Sequence, residues 1–246
     1  MKIENSSGRE IRTFDEWAAL YETPQQSHQW KKHRSAWSVA DFVMHRDGVS
    51  RIRARLTDAL NQDVTVERVV PEFEQRFDQY GRGRVHDLGL FGQTADGRTV
   101  FVGVEAKVDE TFGATVHDAY LQAKANQITG KSTNAPERIE QLLALHFAEP
   151  SPSMFEVRYQ LLYATAGTLA VNVDIAVLYV VVFKTPLFNE SIGASNYYDY
   201  IHFVNKVGGR PVPLGDKGAI AHEITLGDRP LVCMHEYFDL RPSGQG

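Results

Sequence analysis

Asp87, Glu105 and Lys107 are the residues of this chain whose types and spacing suit catalysis. Glu105 and Lys107 lie in the stretch 100–110, V-F-V-G-V-E-A-K-V-D-E, where apolar residues recur at every second position. Period two is the mark of a strand with two different faces. Val100, Val102, Val104, Ala106 and Val108 point one way, toward a helix layer, while Phe101, Gly103, Glu105 and Lys107 point the other. A carboxylate and an ammonium then sit side by side on an apolar strand, where desolvation and mutual attraction both act on them. Residues 85–91, V-H-D-L-G-L-F, read as a second strand, with Asp87 on one face and His86, Leu88 and Leu90 on the other. Residues 92–98, with Asp96-Gly97 at the tip, join the two as a hairpin and bring Asp87 beside Glu105 and Lys107. Paired carboxylates are the donor type that hard cations such as Mg2+ take, and such ions assist attack by water.

A cluster of this kind needs a scaffold, and 246 residues can bury one substantial core. Apolar residues make up 43% and charged residues 23%, the balance of an ordinary globular chain. A formal net charge of −5 gives no global attraction to a polyanion, so any nucleic-acid surface must be a local basic patch. Cys233 is the only cysteine, which excludes an intrachain disulfide and a thiolate zinc cluster and fits a reducing cytoplasm. The first residues, M-K-I-E-N-S-S-G-R-E, carry no apolar core of a signal peptide. The longest apolar run, Ile175–Phe183, is too short to cross a bilayer and reads as a strand buried on both faces. The expectation is a cytoplasmic protein without a membrane partner.

The elements follow in order. Residues 12–21 are helical, with Thr13 as N-cap and Phe14, Trp17, Ala18 and Tyr21 on one side. Residues 22–34 form a polar loop or short cap, and 35–45 and 50–61 are further helices. Residues 64–78 read as a strand that is at an edge or bulged, because Pro71 lacks a ladder donor. Gly81-Arg82-Gly83-Arg84 turns into the strand of Asp87. Helices are expected over 115–127, over 136–147 with Pro136 in the first turn, and over 156–170. Residues 149–153 are a Pro/Ser loop. A helix over 195–207 carries an aromatic cluster at Tyr197, Tyr198, Tyr200 and Phe203, and 219–226 with 230–238 make a terminal hairpin around Gly227-Asp228. No linker splits the chain, so 1–246 is read as one domain: a helical cap over 1–62, a core over 63–185 and an extension over 186–246.

Asp87, seventeen intervening residues, then Glu105-Ala106-Lys107 on a Val-rich strand followed by an amphipathic helix resembles the PD-(D/E)XK nuclease superfamily, the restriction-endonuclease-like fold. His86 stands where that signature has proline. Three segments also resemble an uncharacterised bacterial family of this fold: Trp30–Ala36 (W-K-K-H-R-S-A), Val104–Gly113 (V-E-A-K-V-D-E-T-F-G) and Arg158–Leu162 (R-Y-Q-L-L). The resemblance implies an α/β protein with a mixed sheet of four or five strands flanked by helices. It implies Mg2+, with Mn2+ as a substitute, held by Asp87 and Glu105 with the Ala106 carbonyl. Lys107 would then orient or deprotonate the attacking water and stabilise charge on the phosphorane. A third acid often supplements the pair, and Glu72 on the preceding strand is the choice, ahead of Glu74 and Glu67.

The implied activity is phosphodiester hydrolysis, in DNA before RNA. Arg82 and Arg84 could grip a phosphate backbone, and Gln122 and Lys124 on the next helix stand where related nucleases contact substrate. Each has a plainer reading as solvated surface, as do Asp109 and Glu110 as turn residues and Arg51, Arg53 and Arg55 as a wet helix face. Trp17, Trp30 and Trp37 read as core rather than stacking platforms. Two cuts in a duplex would call for a homodimer or repeated binding. The rival from another class is a catalytically inactive nucleic-acid-binding or protein-interaction module of the same fold. The sequence has no H-E-x-x-H, phosphate-binding glycine loop or nucleophile elbow to support another chemistry.

Overall fold

The structure is a computed structural model describing residues 1–23, 27–149, 151–214 and 218–242. Parts of the expected 22–34 and 149–153 loops, and the tail of the 186–246 segment, lie outside the described residues. The chain forms one mixed eight-stranded sheet with helices on both faces. In chain order the strands are β1 (Lys2–Ile3), β2 (Val64–Gln75), β3 (Arg84–Thr94), β4 (Thr99–Lys107), β5 (Ile175–Lys184), β6 (Arg210–Val212), β7 (Ala219–Leu226) and β8 (Arg229–Asp239). Their spatial order is β1-β2-β3-β4-β5-β8-β7-β6. The β1–β2, β4–β5 and β5–β8 pairs are parallel and the others antiparallel.

The sheet is larger than the four or five strands expected. The residues read as a terminal hairpin are β7 and β8, and β8 runs parallel along β5 from Val177↔Val232 to Lys184↔Asp239. That pairing explains why β5 is apolar from Ile175 to Phe183, with the charged Lys184 only at its end. Val177, Tyr179, Val181 and Phe183 bury on one face and Ala176, Leu178, Val180 and Val182 on the other. A strand with neighbours on both edges and helices on both faces has no position at which a polar residue meets water.

Helices α1 (Phe14–Ala18), α2 (Ser35–His45) and α3 (Gly48–Leu60) cover one face. Helices α4 (Val116–Ile128), α5 (Ala135–His146), α6 (Tyr159–Leu169) and α7 (Glu190–Lys206) cover the other. Thr13 caps α1 in a full capping box with Glu16, and Thr115 caps α4. The Val face of β4 meets the α1–α3 layer as expected. β2 carries a bulge between Val66 and Arg68, and β1 covers it only at Arg68 and Val69, which leaves Pro71 on an open edge.

Strand parity fails at one place, and the failure builds the site. Leu88 and Leu90 join the core under α1–α3, but His86 turns to the opposite face. There its ring meets Phe101 at 5.8 Å and lies over Gly103, where a Cβ would stand 2.7 Å from it. His86 therefore does not share a face with Leu88, contrary to simple alternation. The reversal falls at Asp87 on β3, next to Glu72 on β2, whose φ of 49° is left-handed. A non-glycine residue in that region is uncommon.

Candidate active site

β3 and β4 pair from Gln93↔Thr99 as far as Leu88↔Val104 and then separate. Into the opening comes Asp87, whose Oδ2 accepts the Ala106 amide at 2.7 Å in place of a strand partner. Around this split end lies a cavity of about 240 Å3 lined by Glu72, Asp87, Glu105, Ala106, Lys107 and Glu110, together with Arg84, Gln160 and the start of α2. Asp87, Glu105, Lys107 and Glu72, chosen from the sequence, are thus brought to one place. For Ala106 the contact shown is its amide on Asp87, not its carbonyl.

Glu105 is 2% exposed and Lys107 4% exposed, so both charges need partners. Lys107 Nζ stands 2.9 Å from Glu105 Oε1 and donates to Gln160 Oε1 at 3.1 Å. Gln160 also donates through Nε2 to Glu105 Oε1, and the Arg84 guanidinium pairs with Glu105 Oε2. Arg84 is buried, donates to the Tyr163 hydroxyl at 3.3 Å and packs where Gly167 of α6 has no side chain. A Cβ on Gly167 would lie 2.5 Å from that of Arg84, so this glycine lets α6 approach. Arg84, read from sequence as a turn residue for a phosphate backbone, instead points inward as the counterion of Glu105.

The other acids carry the opposite imbalance. Burial, then the charge of Asp87, raise the Glu72 carboxyl to about 7, against the pull of a hydrogen bond from Tyr21 and the charge of Arg84. Glu110 is raised by burial too, while Ser35 and Lys107 favour its charged form. Lys107 is lowered by burial, offset by Asp87 and Glu110. Glu110, read as a turn residue, is held in the cavity wall: its Oε2 accepts the Asp109 amide at 3.1 Å, and Asn196 of α7 donates to its carbonyl at 2.9 Å.

The remaining expected substrate contacts do not line this cavity. Arg82 pairs with Glu74 at 3.3 Å on the surface. Gln122 donates to Asn126, and Lys124 pairs with Glu140 at 3.5 Å. Gln160 and Glu110 line the site although the sequence reading chose neither, Glu110 having been weighed for it and read as a turn residue. Glu110 had a signal in its closeness to the motif, whereas the signal for Gln160 was only its place in the segment R-Y-Q-L-L, since it reaches Glu105 through the docking of α6.

Comparison with known proteins adds one finding. The profile of a family described as a domain of unknown function, DUF6946, matches residues 10–235. The chain belongs to that family. Searches of the curated proteins and of the solved structures gave no match. In this DUF6946 chain the cavity's acids are oxygen donors of the type a hard cation takes, and burial drives two of them, Glu72 and Glu110, toward the protonated state. Among the described residues, however, no three acids, histidines or cysteines stand at ligand spacing. Glu105 is turned to Arg84 and Lys107 instead.

Proposed function

We propose that this DUF6946 chain is a restriction-endonuclease-like, Mg2+-dependent nuclease hydrolysing phosphodiester bonds, with DNA as the first substrate to test. One observation carries the reading: Glu72, Asp87, Glu105 and Lys107 line a single cavity where β3 and β4 part. Asp87 and Glu105 would hold the ion, with Glu72 as the supplementary acid. When bound, a divalent ion supplies charge neutralisation and lowers the pKa of its water. Lys107, kept from solvent and lowered by burial, sits where it can orient a nucleophilic water or take its proton. Gln160, bonded to both Glu105 and Lys107, fixes the distance between acid and base.

A second reading, a binding module of the same fold without turnover, has an observation of its own. Glu105 is neutralised within the chain by Arg84 and Lys107, an arrangement complete without an ion. Incubation with plasmid, single-stranded DNA and RNA in Mg2+ or Mn2+ separates the two. Metal-dependent cleavage that is lost in Asp87→Ala and Lys107→Ala is the result expected. Retention of DNA without cleavage by the parent chain points to the module.

A further inference from the structure

The cavity's most unusual backbone belongs to Glu72, a non-glycine residue at φ 49° inside β2. Strain of this kind persists only where the surroundings over-determine it, and it gathers at functional sites. What holds the side chain is Tyr21, whose hydroxyl donates to Glu72 Oε1 at 2.6 Å. Among the described residues no group donates to Glu72 Oε2.

Tyr21 does not line the cavity. It is 3% exposed and follows α1, which is anchored by the wholly buried Trp17 and by the Thr13–Glu16 capping box. Its ring stacks on Trp30 at 4.9 Å, and Trp30 in turn meets Phe14 at 5.5 Å. The phenol is therefore presented to the sheet from a rigid aromatic block. A glutamine at position 72 would accept the same hydrogen bond without setting a carboxylate beside Asp87.

We infer that Tyr21 is a positioning residue of the cation site, fixing one oxygen of Glu72 so that the other faces the cavity. The inference rests on the cation-dependent reading above. It gives the helical N-terminal segment a part in the site rather than a covering role. Groups that orient a metal-ligating side chain typically change metal affinity by roughly ten- to a hundredfold when removed.

The test uses the whole chain, Mn2+ as the probe and isothermal titration as the readout, with a thermal melt beside it. Tyr21→Phe keeps the ring stack and removes only the hydroxyl. The expected result is Mn2+ affinity weakened about tenfold in a variant still folded at the assay temperature, with no further loss when Tyr21→Phe is added to Glu72→Gln. A merely structural tyrosine would lower the melting temperature and leave the Mn2+ affinity alone, which overturns the inference. So does an equal penalty in the Glu72→Gln background, because the tyrosine would then act elsewhere. A parent chain that binds Mn2+ while Tyr21→Phe matches it ends this inference only. A parent chain that binds none ends the nuclease reading as well.

Discussion

Two buried glutamates on opposite faces of the same sheet invite comparison. Glu105 faces α6, and Glu236 on β8 faces α3. Each is 3% exposed or less, and each meets an arginine, Glu236 meeting Arg55 at 2.9 Å. Glu236 also accepts the hydroxyl of buried Tyr179. Arg55 in turn reaches Asp58 at 3.9 Å, and a buried pair of this kind is weak evidence for anything beyond structure. Around Glu105 stand a second cation, an amide and three further acids, beside an open cavity. Burial and an ion pair are common to both. What separates them is the number of titratable groups gathered beside the cavity.

The comparison breaks first on activity. Glu105→Gln is expected to reduce metal-dependent cleavage by about a hundred- to a thousandfold. Glu236→Gln should leave it within about twofold and cost about 1–3 kcal/mol of stability. Plasmid nicking and urea unfolding of the two variants measure this, and equal losses of cleavage would erase the distinction. Next comes the guanidinium. Arg84→Met leaves Glu105 with a single cation, and loss of a buried partner costs about 3 kcal/mol. Melting in Mn2+ should recover more of that loss in Arg84→Met than the same ion adds to the parent chain, since the cation can take the vacated role.

The third test is pH. The folded chain holds the Glu72 proton more tightly than the unfolded chain, with a carboxyl raised from 4.5 to about 7. Its contribution to stability is therefore full below about pH 4.5 and declines as pH rises to about 7. Allowing for the part that solvent reaches, the decline amounts to about 2 kcal/mol. Glu110 acts in the same direction, whereas His146 and His235, each lowered to about 4 by burial, stabilise increasingly as pH rises toward 6.5. Subtracting unfolding curves of Glu72→Gln from those of the parent between pH 5 and 8 isolates the glutamate. A difference that does not vary with pH refutes the assignment. The smallest effect belongs to the surface: Gln122→Ala and Lys124→Ala should each change cleavage by less than about twofold, in keeping with the small worth of exposed pairs.

Much of the site could be read from the chain because it is local. Period two in β4, a turn at Asp96-Gly97 and the position of Asp87 suffice to bring three residues to one cavity. Other features depend on contacts distant in sequence. Alternation carried Asp87 toward Glu105 but could not foresee that β3 reverses there, opposite the left-handed backbone of Glu72 on the neighbouring strand. Arg84 looked like a solvated turn residue because nothing near it announces Gly167, the small residue that admits it beneath α6. The width of the sheet was hidden for a like reason. A hairpin pattern tells which strands are joined, not which earlier strand they lie along, and β8 runs parallel to β5 across an intervening helix.

That placement of β8 has a bearing on synthesis. The strands that frame the cavity, β2 to β5, and the helix that supplies Gln160 all precede residue 185. Until Arg229–Asp239 leaves the ribosome, however, β5 keeps an uncovered edge along the apolar run Ile175–Phe183. Long-range parallel pairing of this sort is slow, and such edges attract other chains. A nascent polypeptide of this sequence is then most prone to clump during the interval between its fifth strand and its eighth.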